Sequence, residues 1–248
     1  MIFPSEPEER SKALFEHCLP HISIDSVIFG FSGGTLKVLL IRLNGHQDWG
    51  LPGGYLLKSE NLDDAAHRIL EERTGVNKIF LEQFKTFGKI GRSEGALSYM
   101  PEHHWHRQRF ICVGYYALVN YQSISIRVDE ISEACEWKDV TDMPVLMMDH
   151  KLIFETALTN LRQQLNYKPI GLNLLPEEFT MPELQKLYES ILGKCVHRGS
   201  FQRKMLAYGI FIRHDRSRNI GAHKAPILYS FDINKYHEAL RRGLREEW

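Results

Sequence analysis

The feature that most constrains this chain is the segment at residues 53–76, GGYLLKSENLDDAAHRILEERTGV. Two glycines lead into it, and apolar residues then recur every three or four positions from Leu62 to Thr74. This spacing predicts a single amphipathic helix. Positions 69, 72 and 73 are three or four residues apart, so such a helix presents them on one face. We call residues 53–76 the box segment.

The box segment resembles the Nudix box, whose pattern in active hydrolases is G-x5-E-x7-R-E-U-x-E-E-x-G-U, with U aliphatic. Seven positions match at the fixed spacing: Gly54, Glu60, Arg68, Leu70, Glu72, Gly75 and Val76. The second glutamate of the pattern is replaced by Ile69 and the last by Arg73. In the hydrolases, carboxylates on this helix face hold Mg²⁺ or Mn²⁺ against a pyrophosphate.

The two departures from the pattern remove metal-binding chemistry. Hard divalent cations require oxygen ligands, which Ile69 does not offer, and Arg73 adds a positive charge. Glu71 cannot substitute, because the next residue of a helix points about 100° away. The resemblance therefore implies a Nudix fold with no catalytic residue, no metal and no cofactor. The degenerate box consists of Gly54, Glu60, Arg68, Ile69, Glu72, Arg73 and Gly75.

The length of 248 residues suggests two domains, and the charges are unevenly placed. Lys plus Arg equals Asp plus Glu, at 31 each, yet between Lys194 and Lys224 eight Lys and Arg face Asp215 alone. This local excess predicts a phosphate-binding surface. The four cysteines form no C-x-x-C pair, and neither a signal peptide nor an apolar span of about 20 residues is visible. We therefore expect a cytoplasmic protein without membrane contact.

The order of predicted elements indicates an α/β fold, a Nudix α/β/α sandwich over residues 21–168. An N-terminal arm, residues 1–20, precedes it and contains a short helix near Glu8–Cys18. Strands are predicted at 22–31, 36–43, 78–90, 109–119 and 136–138, and an amphipathic helix at 148–167. The sequence KPIG at 168–171 marks the boundary to a second domain.

Residues 169–248 have the element order of a winged helix-turn-helix. A helix is predicted over 179–192, with Thr180 as N-cap, Pro182 in the first turn and Gly193 at its end. A second helix follows at 199–208, capped by Gly199 or Ser200. Two short strands, 210–213 and 227–231, flank a basic loop. In this motif the second helix reads bases in the major groove.

The candidate DNA contacts fall in two sets. Those at the second helix are His197, Arg198, Ser200, Gln202, Arg203 and Lys204, where Arg and Gln side chains can read base edges. Those of the basic loop are Arg216, Arg218, His223 and Lys224, expected to contact phosphate or the minor groove. The alternative is a solvated basic face.

Two further features allow more than one interpretation. His103, His104 and His106 could bind Zn²⁺, but no Cys or Glu stands at ligand spacing, so a flexible polar insertion at 92–107 is favoured. Trp49 either stacks on a ligand ring or packs in the core. The candidates for effector binding are Trp49, Gly54 and Arg92.

The whole chain resembles the Nudix-related transcriptional regulators, in which an inert Nudix domain precedes a winged helix. The resemblance is closest to the arabinose-responsive sugar regulators, which are related to the NAD-metabolism repressors that sense ADP-ribose. It rests on IDSVIFGF, LPGGYLLKSE, LDDAAHRIL, MDH at 148–150, PIGLNLLPEEFTMPELQKLYESILG and RGSFQRKM. It implies a homodimer, a palindromic double-stranded operator and a small-molecule effector, a sugar or ADP-ribose-like compound, in the former substrate pocket.

The alternative hypothesis is an enzyme, a Nudix pyrophosphohydrolase acting on ADP-ribose or a nucleoside diphosphate sugar. It would use Glu60 and Glu72 with a further carboxylate such as Glu130 or Glu133. Ile69 and Arg73 argue against it. A hydrolase also has no need of a basic winged helix.

Overall fold

The structure is a computed structural model, and it describes residues 3–4, 6–76, 79, 81–165, 167–217 and 226–243. The chain divides into two compact units. The first unit comprises Met1–Phe29, Val38–Leu118 and Ile124–Ala157, and the second comprises Gly30–Lys37, Val119–Ser123 and Leu158–Trp248. The domain boundaries expected after residues 20 and 168 stay a prediction, because packing alone does not show which segments fold independently.

Within the described residues, the first unit contains most of a six-stranded sheet and of three helices, although the ends of some of these elements belong to the second unit. They are α1 (Pro7–His17), β1 (Cys18–Ser32), β2 (Thr35–Leu43), β3 (Gly53–Leu57), α2 (Leu62–Thr74), β4 (Leu81–Phe87), β5 (Ile111–Val119), β6 (Ser132–Asp139) and α3 (His150–Gln164). The strand order is β4-β5-β1-β2-β6, and β3 pairs antiparallel with β1. Strand β1 therefore lies inside the sheet, which explains its continuous run of buried residues.

Helices α2 and α3 cover opposite faces of this sheet. Ile24 of β1 belongs to an apolar cluster with Ala66 and Ile69 of α2. Phe29, five residues further along β1, contacts Phe154 of α3 with ring centroids 6.2 Å apart. Side chains alternate along a strand, so an odd separation puts Ile24 and Phe29 on opposite faces. The predicted α/β/α sandwich is confirmed.

The segment at 92–107 is packed, so its interpretation as a flexible insertion is wrong for the part around Trp105. The Trp105 side chain is 1% exposed, and its ring meets that of Tyr55 edge-on at 5.3 Å. Its backbone N–H donates to Ser11 Oγ of α1 at 2.8 Å. Burial of an indole favours an ordered segment, because it removes a large apolar surface from water.

The second unit contains the predicted pair of helices and a strand hairpin. Its elements are β7 (Phe179–Thr180), α4 (Met181–Leu192), α5 (Arg198–Ala207), β8 (Phe211–Ser217), β9 (Ile227–Phe231) and α6 (Ile233–Arg242). The sheet order is β7-β9-β8. The winged helix architecture is confirmed. The strand β7 and the helix α6 were not predicted from the sequence.

The start of α4 follows its sequence, whereas the start of α5 does not. Glu183 N–H donates to Thr180 Oγ1, and Thr180 N–H donates to the Glu183 carboxylate at 2.7 Å, a capping box. The N-cap of α5 is His197, whose Nδ1 accepts from Ser200 N–H at 3.3 Å. Gly199 and Ser200 were thus wrong as caps, because an imidazole nitrogen took the place of the usual hydroxyl or carboxylate oxygen. Among the described residues, no helix has the length and apolarity to cross a membrane.

Candidate functional site

A cavity of about 440 Å³ in the first unit lies beside the entry to the box segment. This volume is within the range of small-molecule sites. Its apolar lining is formed by Ile41, Leu43, Leu51, Leu97, Tyr99, Met100, Phe110, Ile131, Met147 and Met148. Seven lining residues come from the segment at 92–107: Arg92, Ser93, Leu97, Tyr99, Met100, His104 and His106. The insertion therefore builds one wall of the cavity.

The buried cation of this cavity is Arg92, whose side chain is 3% exposed. Its Nε and NH2 donate to the two carboxylate oxygens of Asp149 at 2.9 and 2.7 Å. Its NH2 also lies 3.5 Å from Asp25 Oδ2. A buried guanidinium is stable only with such partners, because desolvation of an unpaired charge costs several kcal/mol.

Asp25 joins this ion pair to two other elements, β5 and α3. Its Oδ2 accepts from Cys112 Sγ at 2.9 Å and lies 3.9 Å from His150 Nε2. His150 Nδ1 accepts from Leu51 N–H at 2.9 Å, so the neutral ring carries its proton on Nε2, towards Asp25. Any larger residue at Gly53 would displace the Asp25 carboxylate, since a Cβ there would lie 2.1 Å from Asp25 Oδ1.

The structure brings only two of the three predicted effector contacts to the cavity. Gly54 and Arg92 line it. Trp49 is not among the lining residues, and its ring contacts the Arg42 guanidinium, 5.0 Å from the ring centroid, and the Lys138 ammonium, 4.3 Å from it.

Sequence reasoning missed the carboxylates that hold Arg92. The signal for Asp25 was a lone charge in the apolar strand sequence IDSVIFGF. The signal for Asp149 and His150 was the MDH triplet at 148–150. Neither pattern indicates that these residues contact Arg92.

The three histidines of the insertion have different environments. His103 is exposed, whereas His104 is buried and its Nε2 lies 3.2 Å from the Pro7 carbonyl. His106 Nδ1 lies 2.7 Å from the Tyr55 hydroxyl. Burial first, and then nearby His104 and positive charges, lower the pKa of His106 to about 3, so the ring is neutral. In the described part of the chain, no group of three or more His, Cys, Asp or Glu side chains could hold a metal ion.

A second cavity of about 330 Å³ lies over the face of α2 where a hydrolase would hold its metal. The remaining box carboxylates are both bound by Arg68. Its Nε and NH2 donate to Glu60 at 2.9 and 2.6 Å, and its NH1 donates to Glu72 at 2.9 Å. Burial alone raises the pKa of Glu60, but the hydrogen bonds from Arg68 and Leu57 N–H outweigh it and lower the pKa below the usual value.

Position 69 contributes to the core instead of the metal face. Ile69 is 2% exposed and lies beneath Gly54, where a Cβ would come within 3.0 Å of it. Arg73 donates from Nε to the Gly53 carbonyl at 2.9 Å and from NH1 to Asp129 at 2.6 Å. These residues do not fit a divalent cation, which requires several free oxygen ligands.

The two additional carboxylates of the enzyme hypothesis differ in their positions. Glu130 lines both cavities. Glu133 forms an ion pair with Arg42 at 2.5 Å.

The outward face of α5 is largely polar and basic, although Leu206 is exposed there as well. Phe201 and Met205 point inward, and the Phe201 ring meets that of Tyr188 of α4 edge-on at 5.4 Å. Arg203 is two residues from each of them, about 200° around the helix, and is exposed. Arg198 is exposed as well, and Gln202 and Lys204 are half-buried.

The other predicted DNA contacts have mixed placements. His197 and Ser200 are engaged with each other in the α5 cap. Arg216 forms an ion pair with Glu178. Arg218, His223 and Lys224 lie outside the described residues, so their roles stay predictions.

Both parts of the chain match known proteins. The model of the NUDIX domain matches residues 19–156, and that of the NrtR DNA-binding winged helix domain matches residues 171–231. The ADPR responsive transcriptional repressor NtrR of Acinetobacter baylyi is 31% identical over 224 residues, which cover 88% of this chain and 84% of the relative. NrtR of Shewanella oneidensis is similar in structure, with 28% identity and a TM-score of 0.72. The match covers 92% of this chain and 100% of that chain. The complex of Shewanella oneidensis NrtR with a 27mer DNA is similar as well. Its protein chain is 27% identical, the TM-score is 0.71, and the match covers 92% of this chain and 99% of that chain.

Proposed function

Because this chain belongs to the Nudix-related transcriptional regulators that carry an NrtR-type winged helix, we propose that it is a repressor whose DNA binding is controlled by a small effector. The observation that carries the proposal is the α5 face, which presents Arg203 away from the packed Phe201 and Met205. A helix of this kind enters the major groove, where a bidentate arginine reads guanine.

The proposed repressor acts as a homodimer on a palindromic operator. Two copies of the α5 helix would meet half-sites that are separated by about one helical turn, or a small multiple of it. The excess of Lys and Arg between residues 194 and 224 supports the phosphate contacts that such binding requires.

We propose a nucleoside diphosphate sugar of the ADP-ribose type as the effector. The relative from Acinetobacter baylyi is named as responsive to ADPR. The larger cavity supports this choice, because its aromatic and aliphatic lining suits a base, and its polar lining residues, such as Ser23, Asn44 and His46, suit ribose hydroxyls. Arabinose, the effector of the sugar branch, is the comparison ligand.

The effector hypothesis is tested by DNA binding. A duplex selected by the protein from a random pool is titrated in the presence of ADP-ribose, adenosine, arabinose or no ligand. We expect ADP-ribose alone to weaken DNA binding by roughly 5- to 150-fold, a usual strength of coupling between two sites. The coupling is reciprocal, so the selected duplex should weaken ADP-ribose binding by the same factor. Weakening by arabinose instead would place the chain in the sugar branch, and no response to either ligand would contradict the proposed effector.

We expect no Mg²⁺-dependent hydrolysis of ADP-ribose. Arg68 occupies both remaining carboxylates of the box, and Ile69 and Arg73 provide no ligand. The measurement is release of AMP over hours with Mg²⁺ or Mn²⁺, beside an active Nudix hydrolase as control. Turnover at about 1–10³ s⁻¹, the ordinary enzymatic range, would favour the hydrolase instead.

A further inference from the structure

Two guanidinium groups lie where the 440 Å³ cavity and the 330 Å³ cavity over α2 meet. The larger cavity and the cavity over α2 share six residues: Arg10, Gly54, Tyr55, Arg73, Glu130 and Ile131. Arg10 comes from α1 and Arg73 from α2. A ligand that extends from the larger cavity towards the box helix must therefore pass both side chains.

From this position we propose that Arg10 and Arg73 form a metal-free subsite for the diphosphate group of the effector. In a hydrolase, divalent cations hold the pyrophosphate against this helix face. Here the positive charge belongs to the protein chain itself. The inference rests on the proposed function, since it takes the effector to contain a diphosphate.

Both guanidinium groups retain donors for such a ligand. Arg73 uses its Nε on the Gly53 carbonyl and one NH1 hydrogen on Asp129. Arg10 donates from NH1 to the Pro4 carbonyl at 3.3 Å and lies 5.8 Å over the Phe3 ring. Each guanidinium has five N–H donors, so within the described part of the chain three on Arg73 and four on Arg10 have no partner. Planar, paired donors of this kind match phosphate oxygens.

Of the two arginines, Arg10 is the one without a direct carboxylate partner among the described residues, although the charge of Asp129 also acts on it. Asp129 neutralises Arg73 at 2.6 Å, whereas the described contacts of Arg10 are a carbonyl and a ring. Burial and then the charge of Arg73 lower the pKa of Arg10, because each cation disfavours the other. A bound diphosphate would relieve that repulsion. Glu130 also lines both cavities, but it is exposed, so solvent screens its charge.

The subsite explains why arginine at position 73 is compatible with a diphosphate ligand. In a metal-dependent site a guanidinium would repel the cation that binds the substrate. In a metal-free site it binds the substrate directly. The ligand would then be held without the activated water that a metal supplies, and so would remain intact.

The test measures binding of ADP-ribose, inorganic pyrophosphate and adenosine by calorimetry, in EDTA and in Mg²⁺. The variants are Arg10→Gln and Arg73→Lys, which keeps the charge near Asp129. Arg109→Gln is the control, because Arg109 also donates to a backbone carbonyl, that of Gly88, but lines neither cavity. Thermal unfolding of each variant checks that the fold is retained.

We expect wild-type affinity for ADP-ribose and pyrophosphate to be the same in EDTA and in Mg²⁺. Arg10→Gln should weaken both ligands by roughly 10- to 150-fold, the usual loss of hydrogen bonds to a charged group, and leave adenosine unchanged. Arg73→Lys should weaken the binding of ADP-ribose and pyrophosphate by a smaller factor, and Arg109→Gln should weaken the binding of neither ligand. A requirement for Mg²⁺, or wild-type affinity in both Arg10→Gln and Arg73→Lys, would overturn the subsite.

The outcomes separate this inference from the proposed function. If pyrophosphate binds in EDTA and is lost in Arg10→Gln, while ADP-ribose does not affect DNA binding, the subsite stands and the proposed effector fails. If ADP-ribose releases DNA in wild type and equally in Arg10→Gln and Arg73→Lys, the proposed function stands and the subsite is wrong.

Discussion

Replacing Arg92 with methionine is expected to lower the free energy of unfolding by about 3–5 kcal/mol, the usual cost of removing one partner of a buried ion pair. The substitution preserves most of the side-chain volume, so the loss comes from charge. Without Arg92, the carboxylates of Asp25 and Asp149, which are 10% and 15% exposed, lose their cation. Asp25 keeps its bond from Cys112, but Asp149 loses both of its guanidinium bonds.

Urea denaturation followed by tryptophan fluorescence measures this effect. Trp49, Trp105 and Trp137 all belong to the first unit, so the signal reports mainly on the part of the chain that holds Arg92. The matched control is Arg42→Met, which breaks an ion pair with Glu133. That pair is 36% and 41% exposed, and we expect its loss to cost less than about 1 kcal/mol.

A second substitution isolates the charge effect. Adding Asp149→Asn to Arg92→Met replaces the unpaired carboxylate by a neutral amide, and it should recover part of the lost stability. If Arg92→Met costs no more than Arg42→Met, the network of Asp25, Arg92 and Asp149 is not an energetic centre of the first unit.

Replacing Arg203 with alanine is expected to reduce the preference for the selected duplex over a scrambled one by roughly 5- to 150-fold. This corresponds to about 1–3 kcal/mol, the value of a bidentate contact between arginine and guanine. Arg203 is suited to that contact because it is exposed, two residues from the inward-facing Phe201 and Met205. The affinity for the selected duplex should therefore fall more than the affinity for the scrambled duplex.

Salt titrations on both duplexes distinguish base reading from phosphate binding. Arg218→Ala serves for comparison, since the loop position predicts phosphate contact. It should weaken binding to both duplexes alike. It should also lower the slope of the logarithm of the binding constant against the logarithm of the salt concentration by about one unit. Lys151→Ala, an exposed lysine of α3 in the first unit, is the control for loss of a charge. An equal loss on both duplexes in Arg203→Ala would show that α5 does not read bases.

Several elements could be predicted from the sequence because their determinants are local. The box helix runs from Leu62 to Thr74 as its apolar spacing predicted. Helix α4 begins after Thr180 and ends before Gly193, because hydroxyl capping and a left-handed glycine act within a few residues. Where the predictions failed, the cause was an unusual or distant partner, such as the imidazole cap of His197 or the burial of Trp105 against Tyr55.

The sequence by itself determined the fold class, the loss of two metal ligands at Ile69 and Arg73, and the basic character of the second domain. Each of these is a property of residue type and short-range spacing. Only the tertiary structure decided that Arg92 binds Asp149, 57 residues away, that Cys112 donates to Asp25, 87 residues away, and that Arg10 and Arg73 line the same cavity. The physical reason is that such pairs depend on strand register and on packing between elements, which no local pattern specifies.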